Sequence, residues 1–154
     1  MIISRTPMRA SFFGGGTDFK DYYENTQRGY GAVISTAINL YTYITVNKKF
    51  DDQIRLSYWK TEIVENVNAL EHNIIREALK IVGITKGIEI VYMADIPLGS
   101  VGVGLASSSS LAVGVLNALY AFIGRHVSAE RLASEACKIE IDIMKNPIGK
   151  QDQY

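Results

Sequence analysis

Little in this 154-residue sequence is extreme: it has one cysteine, three prolines and one tryptophan, and sixteen acidic residues balance sixteen basic ones. The single Cys137 excludes an internal disulfide and fits a reducing compartment. Zero formal net charge supplies neither the basic excess that binds nucleic acid nor a charge run suited to a membrane surface. No apolar run reaches the ~18 residues of a membrane span. Met1-Ile2-Ile3 runs straight into Ser4-Arg5, which leaves no secretory apolar region. The expectation is a cytoplasmic soluble protein, with no nucleic acid and no membrane as partner. Both common phosphate signatures are missing, since there is no Gly-Lys-Ser/Thr and no G-x-G-x-x-G opening a helix. His72 and His126 have no nucleophile or ligand partner at useful spacing and read as surface residues. Ser107 to Ser110 have no nearby histidine, so a hydrolase triad has no support.

What is present centres on the stretch from Pro97 to Ser110, Pro-Leu-Gly-Ser-Val-Gly-Val-Gly-Leu-Ala-Ser-Ser-Ser-Ser. It follows an apolar strand-like run, Ile88 to Met93, and opens a long apolar helix, Leu111 to Ile123. Glycines let the backbone turn sharply and approach a ligand. The helix start offers unpaired N–H groups and a positive dipole end, which together suit a phosphate. A flexible linker is the alternative reading of the same composition.

The chain is long enough for one domain with a substantial core and too short for two. Short strands are expected over Ile2–Ser4 and Met8–Phe13, broken at Pro7, and over Ala32–Ala37, Tyr41–Asn47, Gln53–Tyr58, Glu62–Val67 and Ile88–Met93. Helices are expected over Asp18–Asn25, Ala69–Val82 (stopped by Gly83), Ser108–Ile123 and Ser128–Met144. Strands come mostly first and helices mostly later, which favours an α+β layered domain over a doubly wound sheet.

The last helix carries one residue out of pattern. At about 100° per residue from Leu132, the residues Ala133, Ala136, Cys137, Ile139, Ile143 and Met144 share an apolar arc, and Glu140 falls in its middle. A carboxylate buried there needs a cation, a metal or hydrogen-bond donors. A structural arginine would serve, and so would Mg²⁺, which favours one or two carboxylates plus phosphate oxygens. Asp18 ends Gly14-Gly15-Gly16-Thr17-Asp18 and Asp152 lies in Gly149-Lys150-Gln151-Asp152-Gln153, where either acid could be a turn former or something more. Arg5 and Arg9 lie four apart on an extended segment and share a face if Pro7 leaves the pleat intact.

Three segments together resemble the GHMP small-molecule kinases: Arg5 to Phe19, the loop from Pro97 to Ser110, and Gly149 to Tyr154. Glu140 stands twelve residues before Asp152, as in the family's pairing of a Mg²⁺-ligating Glu with a catalytic Asp. The resemblance implies the family's α+β N-terminal domain, which is like the second domain of ribosomal protein S5. With Gly15-Gly16 where galactokinases have Glu-His, it points to the heptose and fucose kinase branch. It then implies transfer of a phosphoryl group from ATP, with Mg²⁺, to the anomeric hydroxyl of D-glycero-D-manno-heptose 7-phosphate. Asp152 and Arg9 match the catalytic residues. Pro97, Gly99, Gly102, Gly104, Leu105, Ala106, Ser107, Ser108 and Ser109 match the nucleotide loop. Gly15, Gly16, Thr17 and Asp18 match the sugar-binding turn, and Glu140 and Ser107 match the metal ligands. The loop is longer than the family pattern by Val101-Gly102-Val103. That keeps a fucokinase-like or other sugar 1-kinase, and a non-catalytic nucleotide or sugar-phosphate-binding protein, as alternatives. The family also has a C-terminal domain with a second glycine-rich motif. The 154 residues are therefore expected to be the first part of a longer protein, to expose apolar surface, and to be nearly inactive alone.

Overall fold

The computed structural model describes residues 1–97 and 104–154. Five strands form one sheet in the order β1-β2-β5-β3-β4: β1 Ile2–Phe13, β2 Ile34–Lys48, β3 Ile54–Ser57, β4 Thr61–Val64 and β5 Ile88–Ala94. All neighbouring pairs are antiparallel except β3 and β5. Residues alternate along the strands: Ile54, Leu56, Ile88, Ile90 and Tyr92 are buried while Arg55 and Met93 are exposed. One face of the sheet is thus packed and the other is more open.

The expected break at Pro7 does not occur, and β1 runs through it. Proline cannot donate to a ladder, so it is tolerated on an edge strand or at a bulge. Both conditions hold. β1 is an edge strand, and its pairing shifts from Pro7↔Tyr41 to Arg9↔Ala37. Two steps along β1 therefore oppose four along β2, which makes β2 continuous across the expected gap between its two halves. The shift also sends the two arginines to different partners. Arg5 stacks over the Tyr41 ring at 4.5 Å, and Arg9 turns into the site described below.

The packed face is covered by helices. α2, Asn73–Val82, buries Ile74, Ile75, Ala78 and Leu79, whereas α1, Lys20–Asn25, buries no residue. α2 starts later than expected because Val67–Ala69 forms a separate 3₁₀ turn capped by the Asn66 side chain, after which Leu70 is extended. α2 ends where expected, at Gly83 in the left-handed region (φ 83°). α3, Ser107–Phe122, is buried on most sides and lies at the centre of the core. Gly114 lets it approach β1 closely: a Cβ there would sit 2.6 Å from Thr6 Oγ1.

α4, Ala129–Cys137, starts at Ser128, whose hydroxyl accepts the Arg131 N–H at 3.2 Å. It continues not as α-helix but as a π-helical turn over Lys138–Ile143, marked by the Met144 N–H to Ile139 carbonyl bond. This corrects the apolar arc. Five-residue spacing inserts one residue into the turn, so Ile143 is rotated outward and is exposed, while Ile139 and Glu140 stay fully buried.

Candidate active site

Distant segments of the chain meet at the first turn of α3. Arg9 follows the register shift after Pro7 and stays in the β1 ladder, opposite Ala37. Its Nε donates to Asp152 Oδ1 at 2.8 Å, its Nη2 bonds the same oxygen, and its Nη1 donates to the Gly104 carbonyl at 2.8 Å. Arg9 N–H also donates to the Leu105 carbonyl. Both side chains of the pair are mostly buried, at 17% and 18% exposed. The guanidinium thus ties an acid to the end of the glycine loop with charge-assisted bonds.

One residue further on, Gln153 is buried and reaches the other way. Its Nε2 donates to Ser109 Oγ at 3.1 Å and to Glu140 Oε2 at 2.6 Å, and its Oε1 accepts from Cys137 Sγ at 3.6 Å. Glu140 is 0% exposed and its other oxygen, Oε1, has no hydrogen-bond partner among the described residues. An unpaired buried carboxylate oxygen is costly, so a cation fits it. Among the described residues no group of three or more His, Cys, Asp or Glu could hold a metal unaided. A single carboxylate suits Mg²⁺, which takes much of its coordination from phosphate and water.

The four serines divide by helical position. Ser107 is half-buried and lines one cavity with Tyr92, and Ser108 is exposed. Ser109 is turned inward to Gln153, which takes its hydroxyl, though not its first-turn N–H, away from any ligand. Ser110 donates to the Pro7 carbonyl at 2.9 Å. Ala106 precedes them in the left-handed region (φ 58°) with no side-chain cap on the helix. The first N–H groups of α3 lack intrahelical acceptors and carry the positive end of its dipole. Pro97, Gly104, Leu105 and Ala106 flank this turn, whereas Gly99 and Gly102 lie outside the described residues.

The first glycine loop joins the last segment. Asp18 Oδ1 accepts the Gly16 N–H at 3.1 Å and Oδ2 accepts the Gln151 N–H at 2.9 Å. Gly149 packs so tightly on this carboxylate that a Cβ would fall 1.9 Å from Oδ2. Ser11 Oγ donates to Gln151 Oε1 at 2.8 Å, close to Gly15. Thr17 Oγ1 donates to the Gly14 carbonyl at 2.8 Å and accepts the Ala32 N–H at 3.0 Å, which fixes the turn. Asp18 is therefore first a clamp between two loops, with lone pairs remaining on both oxygens.

Beside Ser107 and Ser108 opens a cavity of about 520 Å³ walled by Tyr58, Trp59, His72 and Tyr92. Sequence reading did not find it, because these aromatics come from separate elements with no shared spacing. It also corrects His72, which is not a surface residue. The ring stands edge-on to Tyr58 and Tyr92, at 4.9 and 6.2 Å between centroids, and its Nδ1 is buried. Burial holds its pKa below the ordinary histidine value, and the Glu62 charge opposes that shift. Burial and a bond to Glu62 push Tyr58 up to about 12. Cys137 is pushed up to about 11 by burial, so its thiol is unreactive.

A five-stranded sheet packed on a central helix, with acids gathered at that helix start, defines an α+β domain. The family model for the GHMP kinases N-terminal domain matches residues 69–154. The chain belongs to this family. It is 29% identical over 167 residues to the D-glycero-alpha-D-manno-heptose 7-phosphate kinase of Campylobacter jejuni, covering 99% of this chain and 47% of the relative. It is 30% identical over 166 residues to the galactokinase of Pyrococcus furiosus, covering 99% of this chain and 43% of the relative. The chain thus spans about half the length of the curated relatives it matches. The crystal structure of a D-glycero-D-manno-heptose 1-phosphate kinase from Bacteroides thetaiotaomicron superposes with TM-score 0.87 at 25% identity, over 100% of this chain and 52% of that one. The Methanococcus jannaschii mevalonate kinase shares the fold, with TM-score 0.75 at 22% identity, over 99% of this chain and 49% of that one. Among the described residues no helix is long and apolar enough to cross a membrane.

Proposed function

We propose that the protein is a sugar kinase moving the γ-phosphoryl group of ATP to the anomeric hydroxyl of D-glycero-D-manno-heptose 7-phosphate, giving the 1,7-bisphosphate. One observation carries this reading. Arg9 joins Asp152 to the Gly104 carbonyl, while the next residue, Gln153, joins Glu140 to Ser109. Those contacts bring a candidate base, a cation and a candidate metal ligand to one anion-binding helix start.

Asp152 takes the proton of the attacking hydroxyl. The hydroxyl oxygen bonds to the γ-phosphorus as the bond to the bridging oxygen breaks, and ADP leaves with the electron pair. Arg9 holds Asp152 in place and sets positive charge beside the transferred group. The first-turn amides of α3, with Gly104, Leu105, Ala106 and the Ser108 hydroxyl, hold phosphate oxygens. The aromatic cavity beside Ser107 takes the base. Glu140 Oε1 and Ser107 would hold Mg²⁺, which offsets charge on the phosphates when bound. Gly15, Gly16, Thr17 and Asp18 shape the acceptor turn. Because the relatives are about twice as long, residues 1–154 are read as the nucleotide-binding part of a longer kinase, with little turnover alone.

The heptose assignment is supported by the Campylobacter and Bacteroides relatives, whose names agree on a heptose phosphate and differ on the position of its phosphate. The galactokinase similarity favours a second reading, a fucokinase-like or other sugar 1-kinase. Coupled ADP release by the intact protein over a panel of sugars and sugar phosphates separates the two. The expected result is selective turnover of heptose 7-phosphate. Selective turnover of galactose or fucose would replace that acceptor. Mg·ATP binding without turnover of any acceptor would favour a sensor.

A further inference from the structure

Gln153 carries no role in the mechanism above, yet its side-chain amide hydrogen-bonds both the candidate metal ligand and α3. It is buried, and its carboxamide is satisfied on three sides by Ser109, Glu140 and Cys137. The orientation of that amide is fixed chemically. Nε2 must face the Glu140 carboxylate, because a flipped amide would set Oε1 against it, and Oε1 then meets the Cys137 thiol, a weak donor. With Oε2 engaged, the carboxylate cannot rotate without losing a 2.6 Å bond, and Oε1 is left as the unpaired oxygen. Gln153 also follows Asp152 directly, so one backbone step sets the spacing between the Arg9-bound acid and the Glu140-bound amide.

We infer that Gln153 is a positioning residue for the metal: it holds Glu140 with one oxygen committed and the other presented to the cation, and it keys that geometry to the base. This rests on the reading of Glu140 as a Mg²⁺ ligand. The Gln153 amide is the group beyond the ligand that orients it, and loss of such partners typically weakens metal binding about 10- to 100-fold.

The test uses the intact protein with a non-hydrolysable ATP analogue. Mn²⁺ replaces Mg²⁺ as a paramagnetic probe whose binding is titrated by electron paramagnetic resonance. The variants are Gln153→Met, which removes the donor, and Gln153→Glu, which sets a carboxylate against Glu140. Each is expected to weaken Mn²⁺ binding about tenfold or more, with metal-free nucleotide affinity unchanged. Gln153→Asn, one methylene shorter, gives the same readout should either variant fail to fold. Cys137→Ala, which deletes the third contact, is expected to leave Mn²⁺ binding unchanged. Wild-type Mn²⁺ affinity in Gln153→Met or Gln153→Glu, with only a lowered melting temperature, would reduce Gln153 to a packing residue and overturn the inference. Glu140→Gln distinguishes the two levels. If it abolishes Mn²⁺ binding while the Gln153 variants do not, the positioning role alone fails. If it leaves Mn²⁺ binding intact, the metal-ligand reading fails first and takes this inference with it.

Discussion

Asp152 presents Oδ1 to Arg9, and the described contacts leave Oδ2 for another proton-bearing group. If Asp152 is the base, Asp152→Asn removes the proton acceptor and keeps the shape. The expected outcome is a fall in kcat of roughly 10²- to 10⁴-fold, with nucleotide affinity by calorimetry little changed. Equal losses in affinity and kcat would make Asp152 a structural partner of Arg9. His72 gives a second prediction at this scale. Its folded pKa is depressed by burial, so below the ordinary value of about 6.5 the unfolded chain binds a proton that the native chain refuses. Its contribution to stability is full above that value and is lost as pH falls through it. Urea melts at pH 7.5 and 5.5 should show the wild type losing more stability than His72→Asn. An equal loss in both would mean that His72 titrates normally. The residue scale also shows where sequence reading stops. Glu140 was legible because a charge inside an apolar arc is a local contradiction, and Arg9 and Asp152 were legible through their motifs. Gln153 and His72 were not. Gln153 finds its partners 13 and 44 positions away, and His72 lies in a cavity that only the folded sheet creates.

At the scale of elements, long strands and helices could be read from pattern, and their joints could not. Pro7 reads as a break in any local scheme, and the ladder absorbs it by shifting register on an edge strand. The π-helical turn after α4 is equally invisible to a fixed 100° step, yet it decides which side chains enter the core. Ile143 is turned out and Glu140 kept in. The contact between α3 and β1 is testable because it hinges on one glycine. Gly114→Ala gains helix propensity worth about 1 kcal/mol but drives a Cβ to 2.6 Å from Thr6 Oγ1. Overpacking of this kind costs about 1–3 kcal/mol, so denaturant melts should show net destabilisation. Adding Thr6→Ala, which deletes the opposing oxygen, should recover most of it. If the double variant is no better than the sum of the singles, the close approach is not what Gly114 provides. At the other end of the helical layer, Ser128→Ala should cost α4 about 1 kcal/mol through loss of its cap.

For the whole molecule, the decisive property is that the two ends of the chain close on one another. Arg9 and Asp152 are 143 positions apart, Asp18 and Gln151 are 133 apart, and Ser11 and Gln151 are 140 apart. These contacts fasten the β1 edge and the first glycine loop to the segment that follows the π-helical turn, so the site is made of the same links that close the fold. Apolar surface remains on the β1–β2 ribbon, where Phe12, Phe13 and Ile34 are exposed. A ligand bridging the start of α3 and the Asp152 loop should therefore stabilise the chain globally, because unfolding either end destroys its site. Ligand binding only to the native state adds RT ln(1 + [L]/Kd), about 2.7 kcal/mol at one hundred times Kd. Thermal melts with ATP should show a clear rise in Tm with Mg²⁺, and a smaller one when the metal is chelated. The difference measures the cation's share, and Glu140→Gln should abolish it while retaining the metal-free rise. A Tm indifferent to ATP under both conditions would mean that this helix start, for all its free amides, does not hold a nucleotide.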